Sequence, residues 1–67
     1  MDDFPMEPIE GSSAVIAGGW KDGRMRVTWN RGETYEYIVD ESVFVLLKKA
    51  PSKGRFMKSL MATGVPV

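Results

Sequence analysis

The chain has 67 residues, nine basic and nine acidic side chains, and neither histidine nor cysteine. That length holds one small domain with a thin core, and the missing residue types exclude the usual zinc sites, thiol nucleophiles, imidazole acid–base chemistry and disulfide staples. An apolar content of 43% with a charged fraction of 27% that sums to zero is the composition of a folded chain, not a disordered one.

Residues 1–10 mix Asp2, Asp3, Glu7 and Glu10 with Pro5 and Pro8, which gives no periodic apolar face and reads as a flexible acidic arm. Its opening lacks the basic-then-apolar order of a signal peptide, and no apolar run approaches a membrane span, so a cytoplasmic protein is expected. From Ser13 to Val39, short apolar runs are punctuated by Gly18-Gly19, Asp22-Gly23 and Arg31-Gly32, which predicts a three-stranded antiparallel meander with strands over 13–20, 24–29 and 33–39. Past Val39 the apolar period lengthens. Val43, Leu46, Leu47 and Ala50, with Phe44 beside them, form one helical stripe that Asp40 caps and Pro51 ends. Ser52 then caps a second helix whose Phe56, Met57, Leu60 and Met61 face inward until Gly64. The fold class is therefore α+β, of order βββαα, with both helices on one sheet face. One domain over 11–64 is expected, with 65–67 as a tail.

Two turns set the strand registers. Asp22-Gly23 suits the two positive φ values of a two-residue type I′ hairpin. Lys21 then pairs with Arg24, which puts Ile16, Gly18, Trp20, Met25, Val27 and Trp29 on one face, read as the core. The reverse face carries Ala17, Gly19, Arg24, Arg26 and Thr28. The second turn leaves two registers open, and one residue of slip moves Tyr35 and Tyr37 from one face to the other. If Asn30-Arg31-Gly32 is a three-residue loop with Gly32 left-handed, Val27 meets Tyr35, Met25 meets Tyr37, and Arg26 faces Glu36. If Arg31-Gly32 is a two-residue turn, both tyrosines join Arg24 and Arg26 as an aromatic and basic platform on which nucleic acid could stack. The reluctance of arginine to adopt positive φ favours the first.

The order of these residues resembles the KTSC domain, a short module found alone in bacterial and phage proteins and at the C-terminus of some lysyl-tRNA synthetases. The likeness runs from Ile9 to Met61 through Ser12-Ser13, Gly19-Trp20, Gly32-Glu33-Thr34-Tyr35-Glu36-Tyr37 and Ala50-Pro51-Ser52-Lys53-Gly54-Arg55-Phe56. Asp40 departs from a frequent proline, Lys58 from the usual asparagine, and Gly64-Val65 from a closing tyrosine. The link to a tRNA synthetase implies an expectation of RNA binding, and the resemblance implies no more than that.

Lys48, Lys49, Lys53, Arg55 and Lys58 follow Glu41 with no later acidic residue, so the helical end of the chain is positive. Together with Ser52 and Gly54 they are the candidate anion or nucleic-acid site, against the plainer reading of solvating charges covered by the acidic arm. Trp20 and Trp29 read as core filler, and Met25, Met57 and Met61 as adaptable packing. Ser12-Ser13 has no base to activate it and reads as turn hydrogen bonding. No catalytic residue, cofactor or metal is expected. The functional expectation is a non-enzymatic binding module that takes RNA or single-stranded nucleic acid on its basic helix end, with Tyr35 and Tyr37 contributing if they face outward. The alternative is a protein-interaction module, acting through an edge strand at 13–20 or 33–39 or through a homodimer.

Overall fold

The computed structural model describes residues 4–60 and 64–67. In chain order it forms β1 (Glu7–Pro8), β2 (Val15–Lys21), β3 (Arg24–Trp29), β4 (Thr34–Ile38), α1 (Glu41–Lys49), α2 (Lys53–Lys58) and β5 (Val65–Pro66). All five strands join one antiparallel sheet in the spatial order β1-β2-β3-β4-β5. The expected three-stranded meander is thus corrected to five strands, and the order βββαα to ββββααβ. The middle three strands are the meander read from the sequence. The outer two come from the segments read as arm and tail.

These outer strands escape a reading by alternation because each is two residues long and contains a proline, which sheets accept only at an edge. Glu7 lies opposite Gly18 and Pro8 opposite Ala17, while Tyr35 lies opposite Pro66 and Glu36 opposite Val65. Strands β2 and β4, expected at the sheet's edges, are therefore interior. The rival reading of partner binding through those strands loses its free edges.

Both turn readings hold. Asp22 and Gly23 have φ of 51° and 80°, as a type I′ hairpin requires, and Lys21 pairs with Arg24. Gly32 has φ of 92°, and Trp29 N donates to Glu33 O at 2.8 Å across the three-residue loop. Val27 therefore meets Tyr35, Met25 meets Tyr37, and Arg26 meets Glu36.

One core assignment changes. Ile16 is 48% exposed and Val15 fully buried, because the register shifts between Val15 and Ala17 and Val15 is the residue opposite Trp29. The cause lies upstream. Ser12 Oγ accepts from both Ala14 N and Val15 N at 3.1 Å, and Ala14 O accepts from Asn30 N at 2.8 Å. With Ala14 and Val15 pinned there, one residue is surplus, and Ile16 bulges out with its carbonyl turned to Ile9 N at 3.0 Å.

Asp40 caps α1 as expected, its Oδ2 accepting from Ser42 Oγ at 2.8 Å and from Ser42 N at 3.4 Å. The buried stripe of α1 is narrower than its periodicity suggests. Phe44 and Leu47 are buried, whereas Leu46 is 56% exposed. Helix α2 ends at Lys58, short of Gly64, where Ser59 Oγ turns back to donate to Phe56 O at 2.7 Å. Met57 is its buried residue; Met61 lies outside the described residues.

The core between sheet and helices consists of Ile9, Val15, Met25, Val27, Tyr37, Phe44, Leu47 and Met57. Gly18 makes room for it, since a Cβ there would stand 2.8 Å from Ile9 Cδ1 and 3.4 Å from Phe44 Cε1. The reverse face is latched, not bare. Arg26 Nε donates to Glu36 Oε1 at 2.9 Å, and the same guanidinium lies 4.5 Å from the centre of the Phe4 ring. Met6 N donates to Phe4 O at 2.9 Å, a γ-turn at Pro5 that sets the Pro5 carbonyl directly on Gly19.

Candidate functional site

The hairpin register puts Tyr35 and Tyr37 on the helix-covered side of the sheet, and Trp29, at the end of β3, beside them. Tyr37 is 1% exposed, while Trp29 and Tyr35 are half-buried. With Arg31 and Glu33 of the β3–β4 loop and Lys58 at the end of α2, the three rings line a cleft of about 190 Å³. The Trp29 side chain lies beside the Tyr37 ring at the floor of the cleft. Arg31 Nε stands 3.6 Å from Glu33 Oε1, so that exposed pair is internally balanced. Lys58 is exposed and makes no ion pair among the described residues.

Burial raises the Tyr37 pKa above its ordinary 10.0, the Trp29 hydrogen bond opposes that rise, and neighbouring Tyr35 adds to it. A phenol that is harder to ionise in the folded than in the unfolded chain contributes stability that is complete below about pH 10 and is lost as pH rises from there through the folded value. Urea midpoints of the native chain should therefore fall more steeply above about pH 10 than those of Tyr37→Phe, and parallel curves would contradict the assignment.

The basic residues singled out in the sequence are not brought to one spot. Lys48 Nζ lies 3.6 Å from Glu7 Oε1 and 4.7 Å from the centre of the Phe44 ring. Lys53 Nζ donates to Ala50 O at 3.1 Å, closing the C-terminus of α1, and Lys48 and Lys53 share a second groove with Glu7 and Glu10. The acidic segment does cover part of the basic surface. Ser52 is the N-cap of α2 but makes no side-chain cap bond, and Gly54 packs on Ala14, whose Cβ would be 3.2 Å from an added one. Lys49 and Arg55 are exposed and, like Lys58, form no ion pair among the described residues. Arg55 and Lys58 stand three apart on α2 and so share a helix face.

The cleft itself was not anticipated. Trp29 reads as filler on alternation alone and Arg31 as a turn residue; only the three-residue loop, which curls Arg31 and Glu33 over the end of the sheet, brings them together. The C-terminal departure from a closing tyrosine acquires a structural meaning here. Gly64 lies against the Tyr37 ring so closely that an added Cβ would be 2.6 Å from Cε2.

The family model of the KTSC domain matches residues 11–62, more than half of the chain. The chain belongs to the KTSC family. No curated protein and no solved structure matches it significantly. Among the described residues of this KTSC domain no group of three or more Asp or Glu could hold a metal ion, and no helix is long and apolar enough to cross a membrane. Asp40 instead caps α1, Glu33, Glu36 and Glu7 pair with arginines or a lysine, and Glu10 shares a groove with Lys48 and Lys53.

Proposed function

We propose that this KTSC domain is a non-enzymatic module that binds single-stranded nucleic acid, RNA foremost, through the backbone phosphates. The observation that supports the reading is the set of exposed cations Lys49, Arg55 and Lys58, which have no acidic partner among the described residues, while Lys48 and Lys53 are engaged within the fold. Solvated cations on short helices release counterions when they meet phosphates, which gives weak affinity that falls with salt. Ser52 and Gly54 then act through backbone shape, and Lys48 and Lys53 add to the positive potential at longer range.

The test is binding of a mixed single-stranded RNA at two or more salt concentrations. Each phosphate contact contributes roughly 0.7 to the slope of log affinity against log salt for a single strand. Neutralising two cations in the double substitution Arg55→Gln with Lys58→Gln should therefore lower that slope by about 1.4 and weaken binding at low salt. An unchanged slope, or no affinity of the native domain at low salt, refutes the reading.

A further inference from the structure

We infer that the cleft lined by Trp29, Tyr35 and Tyr37 seats one unpaired nucleobase, with Lys58 on the adjoining phosphate. The inference rests on the single-strand reading above and deepens it, because it assigns a site for the base where that reading uses the backbone alone.

Three properties of the cleft carry it. The first is size. At about 190 Å³ it lies below the ~300–1,000 Å³ of pockets that enclose a whole cofactor or drug-sized ligand. One planar ring fits the space; a dinucleotide does not. The second is lining. Trp29 and Tyr35 are half-buried, so each is anchored by the fold while part of its ring stays open to solvent. Rings held in this way offer a stacking surface without the entropy loss of ordering a mobile side chain. Tyr37 is fully enclosed and closes the floor.

The third property is charge. Arg31 is occupied by Glu33 at 3.6 Å, whereas Lys58 lines the same cleft with no ion-pair partner among the described residues. A base stacked on Tyr35 has a phosphate one sugar away, and Lys58 is the cation placed to meet it. Arg55, three residues earlier on the same helix face, continues the positive track toward the next phosphate. The arrangement needs no sequence preference, since every base has a stacking face.

The experiment compares a short single-stranded RNA with the same sugar–phosphate strand lacking its bases, followed by the NMR signals of the Trp29 indole and the Tyr35 ring. The base-bearing strand should bind roughly 5- to 160-fold more tightly, the range of base–aromatic stacking, and should shift both signals. Tyr35→Leu, which keeps apolar bulk, should erase the difference, and Tyr35→Phe should retain it. Equal affinity for the two strands overturns the base site while leaving the phosphate contacts standing. Binding of neither strand overturns the base site and the single-strand reading together. The strand comparison is made on the native chain, so it decides the matter even where a Tyr35 variant folds poorly.

Discussion

Leu47→Ala should leave most of the chain unfolded at 25 °C. Leu47 is fully buried and belongs to the core cluster with Met25, Val27, Phe44 and Met57. Truncating a buried leucine costs about 2–5 kcal/mol, the spread reflecting how far the surroundings can collapse into the cavity. A domain of this size draws only about 3–5 kcal/mol from a single core, with no disulfide as a reserve. The loss and the total are thus of one size. Urea denaturation monitored by tryptophan fluorescence should show a native baseline that is shortened or missing. Leu46→Ala, one position along but 56% exposed, should cost far less, and equal effects at the two positions would overturn the packing of α1 described above.

The second large effect concerns Gly19, where the sign depends on the rest of the chain. A Cβ at this position collides with the Pro5 carbonyl and comes within 3.3 Å of Met6 Cα, all of it backbone that cannot turn aside as a side chain can. Gly19→Ala should therefore lift residues 4–8 off the sheet, breaking the Phe4 stack on Arg26 and the pairing of Glu7 with Gly18. Overpacking of this kind costs roughly 1–3 kcal/mol. In a chain lacking residues 1–6 the three atoms nearest that Cβ, all from Pro5 and Met6, are gone. There the same substitution should stabilise by about 0.5–1 kcal/mol, because glycine within a strand is worse than alanine by that amount. Hydrogen exchange at the β1–β2 ladder and urea midpoints of the four chains would test this. The same sign in both backgrounds would remove the N-terminal segment from its place over the sheet.

How far the sequence could be read follows from where its signals are local. Asp22-Gly23 accepts the positive φ of a two-residue turn, while Arg31 resists it and leaves Gly32 to adopt it in a three-residue loop; these local preferences point to the two registers, the facing of both tyrosines and the Arg26–Glu36 pair. Asp40 and Pro51 likewise bracket α1 through backbone chemistry confined to a few residues. What escaped depends on contacts distant in the chain. Nothing within Glu7–Pro8 or Val65–Pro66 announces a strand, because each becomes one only when β2 or β4 supplies its partner. The bulge at Ile16 is dictated by Ser12 and Asn30 on either side of it, and alternation places Ile16 inward for want of that information. Leu46 sits about 100° round α1 from Leu47 and falls outside the buried strip of Phe44 and Leu47. The cleft was hidden for a related reason. Its aromatic walls were visible as residues, but their neighbourhood with Lys58 arises only when α2 returns to the end of the sheet.

The prolines at the two rims bear on how the chain behaves at high concentration. Residues such as Tyr35, Tyr37 and Ile38 in β4 are strong strand formers, and an open flank beside them would template stacking of one molecule on the next. Pro8 and Pro66 each remove a donor from a rim that is only two residues long, leaving an incoming strand too few amides to grip. Protection against fibril growth therefore resides in the two shortest strands of the fold, and proteolytic trimming of either end would strip it away while sparing the meander that needs it.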